Sequence, residues 1–325
     1  MPADCHIQYR WSNGEWDDGK LVTEPYLHLH IAATALHYGQ AAFEGLKAFE
    51  CKDGAVRLFR PAMNVRRLNC TATRVCMPSL PEELFLNAVK RVIQANRDYV
   101  PPYGTGGSLY IRPLMFGSGP RIGVQPAAEY VFLILVLPVG PYYKGGLQPV
   151  RAIVLDDYDR AAPHGMGSVK VAGNYAASLK PHKDAHDKGF SIELYLDAKE
   201  HRYIEEFSTS NFVAITNDKH YVTPESPSIL PSVTNNSLQQ IAGSMGLTVE
   251  RRPVLFDEVA EFCEVGACGT AVVVTPVNEI VRGDTTLRVG PPEGCGPVLQ
   301  ELYREVTAIQ YGEEPDRYGW LVDVD

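Results

Sequence analysis

The segment GSVKVAGNYAASL, residues 167–179, holds one charged side chain, Lys170, among small and apolar neighbours, with Tyr175 five positions on. Lysine is among the residues least often fully buried. Two chemistries fit a lysine in such a setting. Its methylenes lie along apolar surface while the ammonium stays in water, or the amine is desolvated, gives up its proton more easily and acts as a nucleophile. Which holds depends on the other groups the chain supplies.

In IEEFSTSNFVAI, residues 204–215, Glu206 stands between an apolar strand pattern and a polar turn. It is either a solvated carboxylate or one that fixes a proton on a ring nitrogen. SILPSVTNNSLQQIA offers Ser232 and Thr234 as caps where a helical pattern begins, and the first amides, near Val233 and Thr234, have no intrahelical partners. Such a terminus is an ordinary N-cap or a phosphate site. Arg67 is one of three arginines in NVRRLNCTATR, which form an exposed face or supply one bidentate phosphate ligand.

Arg112 interrupts the large apolar residues of SLYIRPLMF, and an arginine there wants a carboxylate, whether from the fold or from a substrate. ACGTAVVVTPV contains the small turn Gly269-Thr270-Ala271, whose amides either pack or receive a carboxylate. HYGQAAFEGLKAFE sets Tyr38 and Phe43 among small residues, as generic core or as a wall for something flat or apolar. His37 and His164 have no ligand spacing and read as structural, so no metal is expected. One poorly solvated lysine, a helix terminus with an arginine, a carboxylate and a tyrosine together make the set a pyridoxal phosphate enzyme needs.

Those groups need elements to hold them. AVRLFR reads as a short strand leading into a helix behind Pro61, and 81–100 as a clearer helix, with acids in its first turn and one apolar stripe. SLYIRPLMFG and YVFLILVLPV read as strands. The Pro/Gly-dense PVGPYYKGG, 138–146, marks a linker between a small N-terminal α/β domain, 1–137, and a large cofactor-binding domain, 147–325. Beyond it RAIVLDDY, FSIELYLD, NFVAIT, LTVERRPV and TAVVVTPVNEIV read as strands, with a helix near 233–246 and another near the C-terminus. The fold class is α/β, or α+β, in two lobes.

At 325 residues the chain exceeds what one core usually serves, and its 45% hydrophobic and 21% charged composition is that of a globular protein. A net charge of −9 argues against nucleic acid or an anionic membrane as partner of the whole surface. Seven cysteines, with C-x5-C at Cys70 and Cys76 and C-x4-C at Cys263 and Cys268 but no clustered histidines, fit free thiols. The first twenty residues carry acids and lack an apolar core, unlike a signal or transit peptide, so a cytoplasmic location is expected. The apolar run 129–140 is too short to span a bilayer.

EPYLHLHIAATALHYGQAAFEGLKAF, SLYIRPLMFGSGPRIGV, GSVKVAGNYAASL, IEEFSTSNFVAI, SILPSVTNNSLQQIA and GTAVVVTPV follow one another in this order. From about residue 8 nearly to the C-terminus the chain resembles the branched-chain amino acid aminotransferases, a two-domain fold-type IV pyridoxal phosphate family. The resemblance implies that Lys170 joins the cofactor aldehyde and carries the proton at the substrate Cα. It gives Tyr175 the cofactor's phenolic oxygen, Glu206 the pyridine nitrogen, and Arg67, Val233, Thr234 and Thr270 the phosphate. The substrate α-carboxylate falls to Thr270, Ala271 and Tyr110, the γ-carboxylate of glutamate to Arg112, and the apolar walls to Phe43, Tyr142 and Val124. Tyr38 and Val124 are implied to reach the neighbouring subunit's site, hence a homodimer. The implied reaction is transamination between L-leucine, L-isoleucine or L-valine and 2-oxoglutarate. A D-amino acid transaminase or an aminodeoxychorismate lyase on the same fold is the alternative. Val272 and Thr275 occupy the places of a CxxC pair found in part of the family, so no redox switch is implied, and Val139 stands where some relatives carry a large aromatic.

Overall fold

The computed structural model describes residues 3–141 and 146–325, so Tyr142 and residues 143–145 of the expected linker lie outside the described residues. Two compact units emerge. The first gathers Met1–Pro141, Val169–Gly173 and Ile309–Asp325, and the second Tyr142–Ser168 and Asn174–Ala308. A linear division at 138–146 differs from this grouping at 169–173 and 309–325. The physical reason is strand pairing. Leu321–Asp323 hydrogen-bonds antiparallel to Val56–Phe59, and Val171 bridges Ala42, so both stretches return to the first unit.

In the first unit the strands run Leu321–Asp323, Val56–Phe59, Leu46–Glu50, Ser108–Gly117, Tyr130–Val139, His6–Ser12 and Glu15–Trp16, in that spatial order. Lys20–Val22 adds to His6–Ser12, and Ala41–Phe43 to Ser108–Gly117. Along Ser108–Gly117 the side chains alternate as a pleated strand requires. Leu109, Ile111 and Met115 are buried in the core, while Tyr110, Arg112 and Leu114 occupy the other face. The helices Pro61–Arg74 and Glu82–Gln94 cover the core face. Phe85, Ala88, Val89, Val92 and Ile93 form the buried stripe of the second, and each large apolar side chain so buried contributes about 2 kcal/mol. This helix stops at Gln94, short of the expected 100, and a 3-10 turn follows at Arg97–Tyr99. Buried Asn96 is the cause, because its amide bonds the Asp4 and Cys5 amides and the Cys5 and Val92 carbonyls.

On the face away from the helices, Lys47 pairs across strands with Tyr110. Burial pushes its amine down to about 8. The folded protein therefore binds this proton less readily than the unfolded chain, whose lysine titrates near 10.5. Stability should rise with pH by about 1–3 kcal/mol between those two values. Urea unfolding midpoints at pH 8 and pH 10.5 measure it; Lys47→Met should remove the rise, and an unchanged rise in that variant would contradict the assignment.

In the second unit Ile204–Phe207, Ile192–Leu196, Val150–Val154, Val273–Arg282, Glu264–Gly269 and Asn211–Ile215 pair in turn, and Asn211–Ile215 pairs back to Ile204–Phe207. This ring closes a barrel, and His220–Pro224 and Thr248–Arg252 extend the sheet from it. Val150–Val154 is parallel to both its neighbours. Stacked Phe207 and Phe212, 5.7 Å apart, belong to the core. Among the described residues no helix is long and apolar enough to cross a membrane.

Candidate active site

In the first unit the site grows from the helix Pro61–Arg74. Asn64, Arg67 and Thr71, spaced three and four residues apart, share one helix face. The Thr71 hydroxyl donates to the Arg67 carbonyl (3.0 Å) and accepts from the Lys170 amide (3.0 Å). The Phe43 amide donates to the Lys170 carbonyl (3.1 Å). Lys170 is thus held by its backbone on both sides. Lys170 Nζ lies 4.8 Å from the Phe43 ring centroid, and the Arg112 guanidinium carbon also lies 4.8 Å from it. One aromatic ring therefore organises two cationic side chains.

Arg112 Nη2 donates to the Tyr110 hydroxyl (2.9 Å), while Arg112 Nε is buried without a hydrogen-bond partner among the described residues. A half-buried guanidinium whose buried Nε lacks an acceptor suits an anion. Between the strands Ala41–Phe43 and Leu46–Glu50, Glu44 turns inward and its amide donates to the Pro113 carbonyl (2.9 Å). Gly45 allows Tyr110 to close in, since a Cβ there would collide with the Tyr110 hydroxyl.

The second unit contributes a buried carboxylate and a helix terminus. Glu206, in Ile204–Phe207, accepts from the Leu230 amide (2.9 Å) and from Asn211 Nδ2 (3.2 Å), and pairs with Arg160 Nη2 at 2.7 Å. Arg160 also donates to the carbonyls of Ser228 (2.7 Å) and Gly167 (3.2 Å), and a Cβ at Gly167 would collide with the Ser228 carbonyl. Burial, then the charge of Glu206, pushes the neighbouring Cys268 thiol up, and burial likewise raises the Glu205 carboxyl. Replacing Arg160 with methionine would leave a buried carboxylate without its cation, costing about 3–5 kcal/mol. The thermal midpoint should fall by about 10 °C, and a fall below about 2 °C would refute this coupling.

Ser232 caps the helix Val233–Ser244 by accepting from the Asn235 amide (3.1 Å). Thr234, expected as a second cap, instead sits in the first turn, so the cap is Ser232 alone. The Val233 and Thr234 amides are the helix's leading donors. Thr270 and Ala271 form the turn joining Glu264–Gly269 to Val273–Arg282. It ends on Val273 at φ 60°, a left-handed conformation that a β-branched residue rarely takes. The first unit thus offers an amine and two guanidiniums, and the second, by itself, a buried carboxylate and a helix terminus whose leading amides suit a phosphate. The unmet Arg112 donor fits a carboxylate substrate.

A family profile described as amino-transferase class IV matches residues 41–280. The chain belongs to the class IV aminotransferases. The aminotransferase is 48% identical over 331 residues to the branched-chain-amino-acid aminotransferase of Haemophilus influenzae, covering 100% of this chain and 96% of that one. The crystal structure of the Escherichia coli branched-chain amino acid aminotransferase is similar at a TM-score of 0.83 and 29% identity, over 99% of this chain and 100% of that one. A T.th. branched-chain amino acid aminotransferase complexed with N-(5'-phosphopyridoxyl)-L-glutamate is similar at 0.83 and 26%, over 100% of both chains. The aminotransferase is therefore an enzyme of fold-type IV, with the mixed α and β architecture expected.

The first unit of the aminotransferase brings Phe43, Arg67, Tyr110, Arg112 and Lys170 together. Tyr38 and Val124 stand on the exterior of the same unit, Val124 88% exposed and the Tyr38 hydroxyl accepting from the Gly123 amide (2.7 Å). Tyr175, on the helix Ala172–Ala177, belongs to the second unit with Glu206, Val233, Thr234, Thr270 and Ala271. Residues 167–179 are less interior than their composition implies, since Ala176 and Ala177 are not buried and Leu179 is 71% exposed. Glu44, Thr71 and Arg160 escaped the sequence reading. A charge inside FEGL was the available signal for Glu44, whereas Arg160 lies in DDYDRAAP, which looks like any polar loop.

Proposed function

We propose that the enzyme transfers the amino group of L-leucine, L-isoleucine or L-valine to 2-oxoglutarate, giving a branched 2-oxo acid and L-glutamate, with pyridoxal 5'-phosphate as cofactor. The observation that carries this reading is Lys170, tethered by both backbone groups, sharing the Phe43 ring with Arg112. The names of the relatives and the phosphopyridoxyl-glutamate in one of them support the substrate class and the cofactor.

When bound, the cofactor supplies an electron sink for the substrate Cα–H bond. Lys170 binds the cofactor and moves the Cα proton as general base and acid. Glu206, paired with Arg160, would hold the proton on the pyridine nitrogen, and Tyr175 would hydrogen-bond the phenolic oxygen. Arg67, the Val233 and Thr234 amides and Thr270 hold the phosphate. The α-carboxylate meets Thr270, Ala271 and Tyr110. Phe43, Tyr142 and Val124 wall the side-chain pocket, and Arg112 receives the γ-carboxylate of glutamate in the other half-reaction.

The active assembly in this reading is a homodimer with Tyr38 and Val124 reaching the neighbouring site. Ile31, Leu36, Ile122 and Val124, each more than 60% exposed, support it, because the Ala33–Pro120 bridge joins their two segments into one apolar patch. Residues 138–146 act as the linker between the domains, and the free thiols suit a cytoplasmic enzyme. The D-amino acid transaminase and lyase alternatives are not favoured by the relatives. With excess 2-oxoglutarate, L-leucine, L-isoleucine and L-valine should each yield glutamate and D-leucine none. Turnover of D-leucine without turnover of L-leucine would overturn the reading.

A further inference from the structure

Glu44 is 0% exposed, yet it carries a carboxylate. Burying such a group is costly unless its lone pairs are met. Four donors meet them: Arg67 Nε and Nη2, each at 2.7 Å, Asn64 Nδ2 at 2.8 Å and the Gly45 amide at 3.3 Å. The two arginine bonds form a side-on fork, which fixes the plane of the guanidinium as well as its position. Asn64 sits one turn before Arg67 on the same helix, so the carboxylate is itself anchored to the element that carries the arginine.

We propose that Glu44 is the positioning residue that aims Arg67 at the cofactor phosphate, an inference resting on the reading of Arg67 as a phosphate ligand. Phe43 and Glu44 then work as one segment. The Phe43 amide and ring hold Lys170, and the Glu44 side chain holds Arg67, so two successive residues fix the reacting amine and the phosphate cation relative to each other. Thr71, one turn beyond Arg67, ties the same helix to the Lys170 amide. Arginine is rich in rotamers, and without the fork its side chain has to be ordered when phosphate arrives.

The test is a double-mutant cycle read as the dissociation constant for pyridoxal 5'-phosphate, by equilibrium dialysis of the full chain. Glu44→Gln keeps the side-chain volume but loses the charge and one arm of the fork, and should weaken binding about tenfold. Arg67→Met should weaken it at least as much, and the double variant should bind no more weakly than Arg67→Met alone. Unchanged binding by Glu44→Gln, or a full further loss in the double variant, would overturn the proposal while leaving Arg67 as the phosphate ligand. Unchanged binding by Arg67→Met would instead overturn the phosphate reading itself. Should Glu44→Gln not fold, Asn64→Ser removes one anchor of the carboxylate and should cost about threefold; no loss there counts against the proposal.

Discussion

Lys170→Ala should lower transamination turnover by at least about 10⁴-fold while leaving the fold intact. The large loss follows from the proposed reading, in which one side chain both holds the cofactor and moves the Cα proton. Arg112, on the same ring, is permanently charged and cannot accept a proton. The fold should be spared because two main-chain bonds, from the residue 170 amide to Thr71 and to its carbonyl from the Phe43 amide, persist whatever the side chain. The thermal midpoint should stay within about 3 °C of the parent. A Lys170→Ala protein turning over leucine at the parent rate would contradict the assignment outright.

Arg112→Leu should separate the two half-reactions. Arg112 interrupts an apolar strand, bonds Tyr110 and leaves Nε unmet among the described residues, which fits the anion-receiving role proposed for it. A charge-assisted bidentate bond contributes about 1.5–3 kcal/mol, which corresponds to a roughly 10- to 150-fold loss of kcat/KM for glutamate. The leucine half-reaction, whose side chain brings no second carboxylate, should lose less than about fivefold. Single-turnover measurements with each amino acid give both numbers. An equal loss in the two would show that Arg112 serves the α-carboxylate or the fold instead.

Much of this organisation is legible in the sequence because it rests on local pattern. Period-two burial marks Ser108–Gly117, an apolar stripe behind acidic residues marks Glu82–Gln94, and Ser232 announces the helix that follows it. What escaped is non-local. The return of Val169–Gly173 and Ile309–Asp325 to the first unit depends on backbone pairings such as Leu321 with Phe59, which leave no side-chain signature. Glu44 and Arg160 are ordinary charges until Arg67 and Glu206 are placed opposite them. The left-handed Val273 goes against its own residue type, so no local rule anticipates it. Val124 was singled out through resemblance alone and Tyr38 also from its small neighbours; both are exposed in the single chain.

The visible absorbance spectrum of the purified protein, recorded before and after excess L-leucine with no 2-oxo acid present, tests the central claim most directly. A yellow protein whose band converts to a pyridoxamine-type spectrum, with one equivalent of branched 2-oxo acid released, is the predicted result. A protein that stays colourless when pyridoxal 5'-phosphate is added, or a yellow one that L-leucine leaves unchanged, would contradict it.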